Sequence, residues 1–170
     1  MPASSYPEHL TGAFTGGFGE ETCRSCHFDY PLNYEEGALV VSGLPVTYEP
    51  GRSYWITIAV SRPQLAKAGF QMTTRFKSGS QAGRFELHSE SVQLTDTVSD
   101  SVQYLQHPAS ASDAIVRSSD SGTVNWHVKW VAPREPGIVY LDVSANAANG
   151  DASEFGDYIL NTRIILYPAQ

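Results

Sequence analysis

The feature that most constrains this chain is a run near its middle, Val124, Trp126, Val128 and Trp130, whose intervening residues Asn125, His127 and Lys129 are all polar. Side chains that alternate with period two lie on opposite faces of an extended strand, so this run predicts a half-exposed antiparallel strand with two tryptophans turned to a core. The alternation recurs. Tyr54, Ile56, Ile58 and Val60 share one face and Trp55, Thr57 and Ala59 the other; Phe70, Met72, Thr74 and Phe76 repeat the pattern, as do Val139, Leu141 and Val143. A last run, Tyr158 to Leu166, is apolar on both faces over Ile164, Ile165 and Leu166, which predicts a central, two-sided strand. Turn chemistry at Glu49-Pro50-Gly51, Pro133 to Gly137 and Asn149-Gly150-Asp151 separates these runs. No stretch of about ten residues carries a helical stripe. The pattern predicts an all-β chain, a β-sandwich of roughly seven to nine strands over residues 37–168.

Residues 1–36 have a different texture. Gly12, Gly16, Gly17, Gly19 and Pro31 punctuate them and no period holds, so they read as a loop-rich segment. They also carry Leu10, Phe14, Phe18, Phe28, Tyr30, Leu32 and Tyr34, an apolar load too heavy for a solvated linker. Something must cover those rings. The serine-rich stretch from Ser99 to Gly122 reads as a long inter-strand loop, and there is no internal repeat.

At 170 residues and 41% hydrophobic content the chain has the size and apolar mass of one domain with a real core. Its net charge of −7, with no run of Lys or Arg, argues against nucleic acid as a partner. The longest apolar stretches, such as Ile138 to Val143, fall far short of the roughly 20 residues of a spanning helix, so no membrane span is expected and the chain reads as soluble. Met1 to Pro7 has neither a basic nor an apolar region of the signal-peptide kind, so any signal peptide is expected to have been removed.

The two cysteines, Cys23 and Cys26, stand directly before His27 in Cys-Arg-Ser-Cys-His. Two cysteines at this spacing can reach the two vinyl groups on one edge of a haem, and the adjacent histidine can rise to the iron as proximal ligand. The sequence therefore predicts one covalent haem c held by Cys23, Cys26 and His27. Phe14, Phe18, Phe28 and Tyr30 are candidates to pack on the porphyrin, and Arg24 or Arg52 to meet a propionate. Three other readings of the pair stand beside this one. A redox disulfide needs no histidine and usually opens a helix in a βαβ pattern that is absent here. A zinc half-site wants a second spaced ligand pair, and none is visible. The third is coincidence, two free thiols.

The second axial ligand has several candidates. His107, just before Pro108 where a strand gives way to the long loop, is favoured, with an open or water-bound iron as runner-up. Met72 shares a strand face with Phe70 and reads as core filler more readily than as a ligand. His127 lies on a polar strand face, His88 has no special setting, and His9 completes the set. Asn146, Asn149, Asp151 and Asp157 offer oxygen atoms to calcium, but their spacing is not that of an EF-hand, and a loop capping its own backbone is the preferred reading.

Beyond the motif, the chain resembles a bacterial family of secreted Reeler-like proteins that carry the choice-of-anchor V type of domain. The likeness runs through Thr11-Gly12-Ala13 ahead of the motif, Gly43-Leu44-Pro45, Tyr48-Glu49-Pro50-Gly51, Gly69-Phe70-Gln71 and Gln81-Ala82-Gly83. It continues through Tyr104 to His107, the Trp126 to Pro133 strand, Asn146 to Asp151 and Gly156-Asp157-Tyr158. The resemblance implies a Reeler-like, immunoglobulin-like sandwich, export to the periplasm, cell surface or medium, and a Cys-x-x-Cys-His near the mature N-terminus. Tyr104 to His107 resembles the family's own Tyr-x-x-His, which adds to the case for His107.

Two functions follow as expectations. The first is electron transfer by a monohaem, cytochrome c-like protein with a redox partner protein or a neighbouring haem subunit. The second is a structural or adhesion subunit of an extracellular assembly, a homo-oligomer or haem-stacking filament in which the haem is a covalent staple. The chain is not expected to be an enzyme; peroxidase-like chemistry would need an open distal site. No nucleophile elbow, phosphate loop or HExxH site is present in the sequence.

Overall fold

A computed structural model describes residues 12–95, 101–108, 122–151, 153 and 155–170. His9, Leu10, Thr11 and most of the serine-rich stretch lie outside the described residues. The described chain forms a short 3-10 turn, Cys23–Ser25, and ten strands: β1 Ala38–Ser42, β2 Thr47–Tyr48, β3 Ser53–Ser61, β4 Lys67–Phe76, β5 Arg84–Glu86, β6 Gln93–Leu94, β7 Leu105–Gln106, β8 Thr123–Val131, β9 Val139–Ala148 and β10 Tyr158–Pro168. Seven of these span three residues or more, within the range the alternation predicts; β2, β6 and β7 are two-residue additions. One of them, β7, interrupts the stretch expected to be a single long loop.

The strands form two sheets, ordered β1-β3-β8-β5 and β2-β10-β9-β4-β7-β6. Every pairing is antiparallel except the short β2–β10 contact. The predicted alternation decides what fills the space between them. Ile56, Ile58 and Val60 of β3 and Trp126, Val128 and Trp130 of β8 turn inward, against Phe70, Met72, Leu141, Val143 and Ala145 of β4 and β9. Trp130 is fully buried and its indole N–H donates to Ala82 O at 3.1 Å, so the ring enters the core with its polar atom satisfied.

Two expectations change. Strand β10 is not central: on the side away from β9 the only strand it pairs with among the described residues is the two-residue β2, and Ile165 is 41% exposed. Tyr158, Ile159 and Leu160 are buried on both faces, but over Ile164 to Leu166 the run is two-sided in sequence and not in packing. The other change concerns β4, which alternates Phe70, Gln71, Met72, Thr73 yet is buried on both faces. Polar side chains disappear from solvent there because a further layer of chain covers them, and that layer carries the Cys-x-x-Cys-His.

Candidate functional site

Residues 12–29 run across the outer face of the six-stranded sheet, tied down side chain by side chain. Gln71 of β4 donates to Gly12 O at 2.9 Å and accepts from Phe14 N. Glu20 pairs with Arg75 of β4, and both side chains are nearly buried. Gly17 passes so close to β9 that a Cβ there would stand 2.1 Å from a carboxylate oxygen of Asp142, so only glycine fits this approach. Asp142 in turn accepts two hydrogen bonds from Arg163 of β10, at 2.6 and 3.0 Å. Further on, Asn33 N donates to Ile159 O, and Tyr30 and Tyr34 pack their rings on Tyr158, which closes the sandwich beside β10. These contacts answer what covers the rings of the loop-rich segment.

The motif sits in the middle of this layer. Thr22 caps a single 3-10 turn by accepting from Arg24 N at 3.2 Å, and Cys26 N and His27 N both return to Cys23 O. Cys23 is docked on β9: its N–H donates to Ser144 Oγ at 3.4 Å, and the Ser144 hydroxyl reaches back to Cys23 Sγ at 3.5 Å. Cys23 is half-buried and Cys26 exposed. Burial pushes the Cys23 thiol up from its ordinary value, with the Ser144 hydrogen bond opposing it, so this sulfur is held as the neutral thiol.

His27 is buried. Its Nδ1 lies 2.8 Å from Asp157 Oδ2, at ion-pair distance though off hydrogen-bond alignment, and both side chains are over nine-tenths covered. The carboxylate is itself fixed. Oδ2 accepts from Asn146 Nδ2 at 3.2 Å and Oδ1 from Asn149 N at 3.3 Å. Asp157 is the partner that sequence reading missed: it is singled out there only as an oxygen donor for calcium, and nothing local connects it to His27. Ser144, 121 positions from Cys23, is a second such residue. The calcium candidates are otherwise used up in a self-capping loop, in which Asn149 and Asp151 exchange hydrogen bonds and Asp151 accepts from Ser153 N.

The remaining candidates scatter. Phe28 is exposed and meets Phe155, also exposed, edge to face at 5.9 Å, beside the motif. Phe14 is anchored through its backbone on Gln71. Phe18 packs on Tyr140 between Arg75 and Arg163. Tyr140 is six residues along β9 from Asn146, about 20 Å, so Phe18 anchors the covering layer rather than the motif. Arg24 donates to Tyr30 O near the motif, whereas Arg52 pairs with Glu49 and its backbone bonds Ala132, at the opposite end of the sandwich. Met72 faces the core, on the side of the sheet away from Cys23 and His27, so it is removed as a ligand to anything held there.

His107 extends β7 beside β4, next to Gly69, whose register partner is Asn146. A Cβ at Gly69 would stand 2.2 Å from the imidazole, so the glycine makes room for the ring. Its Nδ1 lies 3.0 Å from Phe70 N and 3.3 Å from Phe70 O, so this nitrogen is turned to the backbone of β4, and burial holds the imidazole below its ordinary pKa. His107 N also donates to Phe70 O at 3.4 Å, so the residue carries the β7–β4 pairing on by one rung, with its ring beside Phe70 and Trp126.

Among the described residues no three His, Cys, Asp or Glu side chains form a metal-binding group. A haem asks for less: two thiols on one turn, one oriented imidazole and apolar contact, and the Cys23–Cys26 turn, His27 on Asp157 and the Phe28–Phe155 pair fit that requirement.

The fold is Reeler-like. The crystal structure of the human F-spondin reeler domain (fragment 1) superposes with a TM-score of 0.50 at 20% identity, covering 80% of this chain and 92% of that chain. A second fragment of the same human domain gives 0.49 at 22%, covering 79% and 93%. No family model and no curated protein matches the chain. At this identity the likeness establishes the sandwich architecture, and the reading of the motif rests on its own residues. No helix among the described residues is long and apolar enough to cross a membrane.

Proposed function

We propose that this chain carries one haem c, joined by thioethers at Cys23 and Cys26 with His27 as axial ligand, and that it serves outside the cytoplasm as a one-electron carrier. The observation that carries this reading is the setting of His27. Its Nδ1 faces the buried Asp157 carboxylate at 2.8 Å, the kind of outer partner that orients a metal-binding imidazole. In attachment each thiol S–H adds across a vinyl double bond, sulfur to carbon and hydrogen to the neighbouring carbon. Cys26 is exposed for this, while Cys23 is half-buried and His27 buried, so loading must open the surface of the turn. Phe28 and Phe155, each about half exposed, are the apolar side chains beside it to receive a porphyrin edge. Bound haem supplies a ferric/ferrous couple that exchanges single electrons with a redox partner protein. The resemblance to exported proteins supports an extracytoplasmic site.

The test is an absorption spectrum, intact mass and pyridine haemochrome assay on protein from a haem-maturing host. A c-type α-band with one haem of added mass, and a reversible couple on titration, is the expected result. A colourless protein of bare polypeptide mass would leave the cysteines as a thiol pair and end the proposal. The ferric spectrum would then separate a low-spin iron with two protein ligands from a high-spin one, and a high-spin result would also call for a peroxide-reduction assay.

A second reading, a subunit of an extracellular assembly stapled by haem, is favoured by one observation. The edge strand β1, Ala-Leu-Val-Val-Ser, carries neither charge nor proline, and Val40 is 55% exposed. Light scattering that shows a strict monomer at every concentration would remove it.

A further inference from the structure

We infer that Asp157 is the positioning residue for His27, and that the Asn146–Asp157 hairpin is built to hold that carboxylate rather than a cation. The inference rests on the haem reading for its redox consequence but not for its structural part. Three observations converge. Both oxygens of Asp157 are pinned by donors from the hairpin, Asn146 Nδ2 and Asn149 N, so the carboxylate is aimed before anything binds. The hairpin is clamped on both sides: Arg62 Nη1 donates to Ala147 O and Gly156 O at 3.0 and 2.6 Å, and Asp29 of the covering layer accepts from Gly156 N at 3.0 Å. Asp29 follows the motif by two residues, so one loop end fixes the position of the other. Finally, Asp157 is 2% exposed and His27 5%, so the contact between them is shielded from water and its electrostatic effect is strong.

A carboxylate 2.8 Å from Nδ1 biases by its charge which nitrogen carries the proton, even off hydrogen-bond alignment. The Nδ1–H form is favoured and the lone pair stays on Nε2, the atom that meets a metal. The same negative charge makes the imidazole a stronger donor and favours the ferric over the ferrous state. Removing it while keeping the side-chain shape should weaken that preference about tenfold, a rise of about 59 mV for one electron.

Two measurements decide. In haem-free wild-type protein, long-range nitrogen–proton NMR should find His27 as the Nδ1–H tautomer, and Asp157→Asn should abolish that bias; an Nε2–H tautomer in the wild type would overturn the inference whatever the haem content. In haem-loaded protein, Asp157→Asn should raise the potential by about 59 mV, with Asp157→Glu lying between the two. Equal potentials in wild type and Asp157→Asn, at equal haem content, would also overturn it. Absence of haem from the wild type would instead sink the haem reading and leave the tautomer measurement to judge Asp157.

Discussion

The outer faces of the two sheets have similar polar chemistry and opposite fates. On the four-stranded sheet Trp55 and His127 are exposed, and part-exposed Glu86 bridges Lys129 and Arg84. On the six-stranded sheet Gln71, Thr73, Arg75, Asp142 and Ser144 are all buried under residues 12–29. A polar face can be buried only if its groups are paired, and here the pairing is done largely by the covering segment: Gly12 and Phe14 serve Gln71, Glu20 serves Arg75 and Cys23 serves Ser144. The comparison teaches that the motif-bearing segment is a third layer of the fold, held by complementary polar groups rather than by a hydrophobic stripe.

The largest test of this contrast removes one carboxylate from each face. Glu20→Ala leaves the Arg75 guanidinium buried without its partner and should cost about 3–5 kcal/mol in chemical denaturation. Glu86→Ala on the open face should lie within error of wild type, because water screens its pairs. Equal losses in the two variants would break the comparison.

A medium effect is expected at the rung that seats His107. Gly69→Ala places a methyl group 2.2 Å from the ring and should cost about 1–3 kcal/mol in thermal unfolding, with His107 shifted in NMR spectra. A neutral outcome would show that the ring moves freely.

The smallest effect is alkaline. Tyr104 is buried against Glu20 and Arg75, and burial together with its hydrogen bond to Glu20 pushes the phenol up to about 12. The unfolded chain ionises near pH 10, so it loses the proton first; the stabilisation is present below pH 10 and is lost as pH rises from about 10 to about 12. Tyr104→Phe should flatten stability across that window. An unchanged slope would place Tyr104 outside the buried network.

The sandwich itself is legible wherever one side of a strand meets the core and the other meets water. Trp126, Val128 and Trp130 point inward as their alternation predicts, because a single boundary between oil and water sets the pattern. Legibility fails at β4 and β10. In β4 a polar residue between two apolar ones signals exposure, but the covering layer buries it; in β10 apolar residues on both faces signal a central strand, yet Ile165 faces solvent. The motif at Cys23, Cys26 and His27 is visible in three letters of sequence, while its partners Ser144 and Asp157 are not, since they arrive from β9 and the hairpin after it.

Sequence alone determined the all-β class and the inward-facing strand residues, because strand periodicity is a local property of neighbouring side chains. It also determined the chemistry available at the motif, because thiol and imidazole reactivity belongs to residue types at short spacing. Only the tertiary structure decided that residues 12–29 form a layer, that His27 looks at Asp157, and that Met72 faces away and His107 turns Nδ1 to the backbone of Phe70. Those outcomes depend on which distant backbone and side-chain groups must be paired when water is excluded, and such pairing is settled by packing across the whole chain.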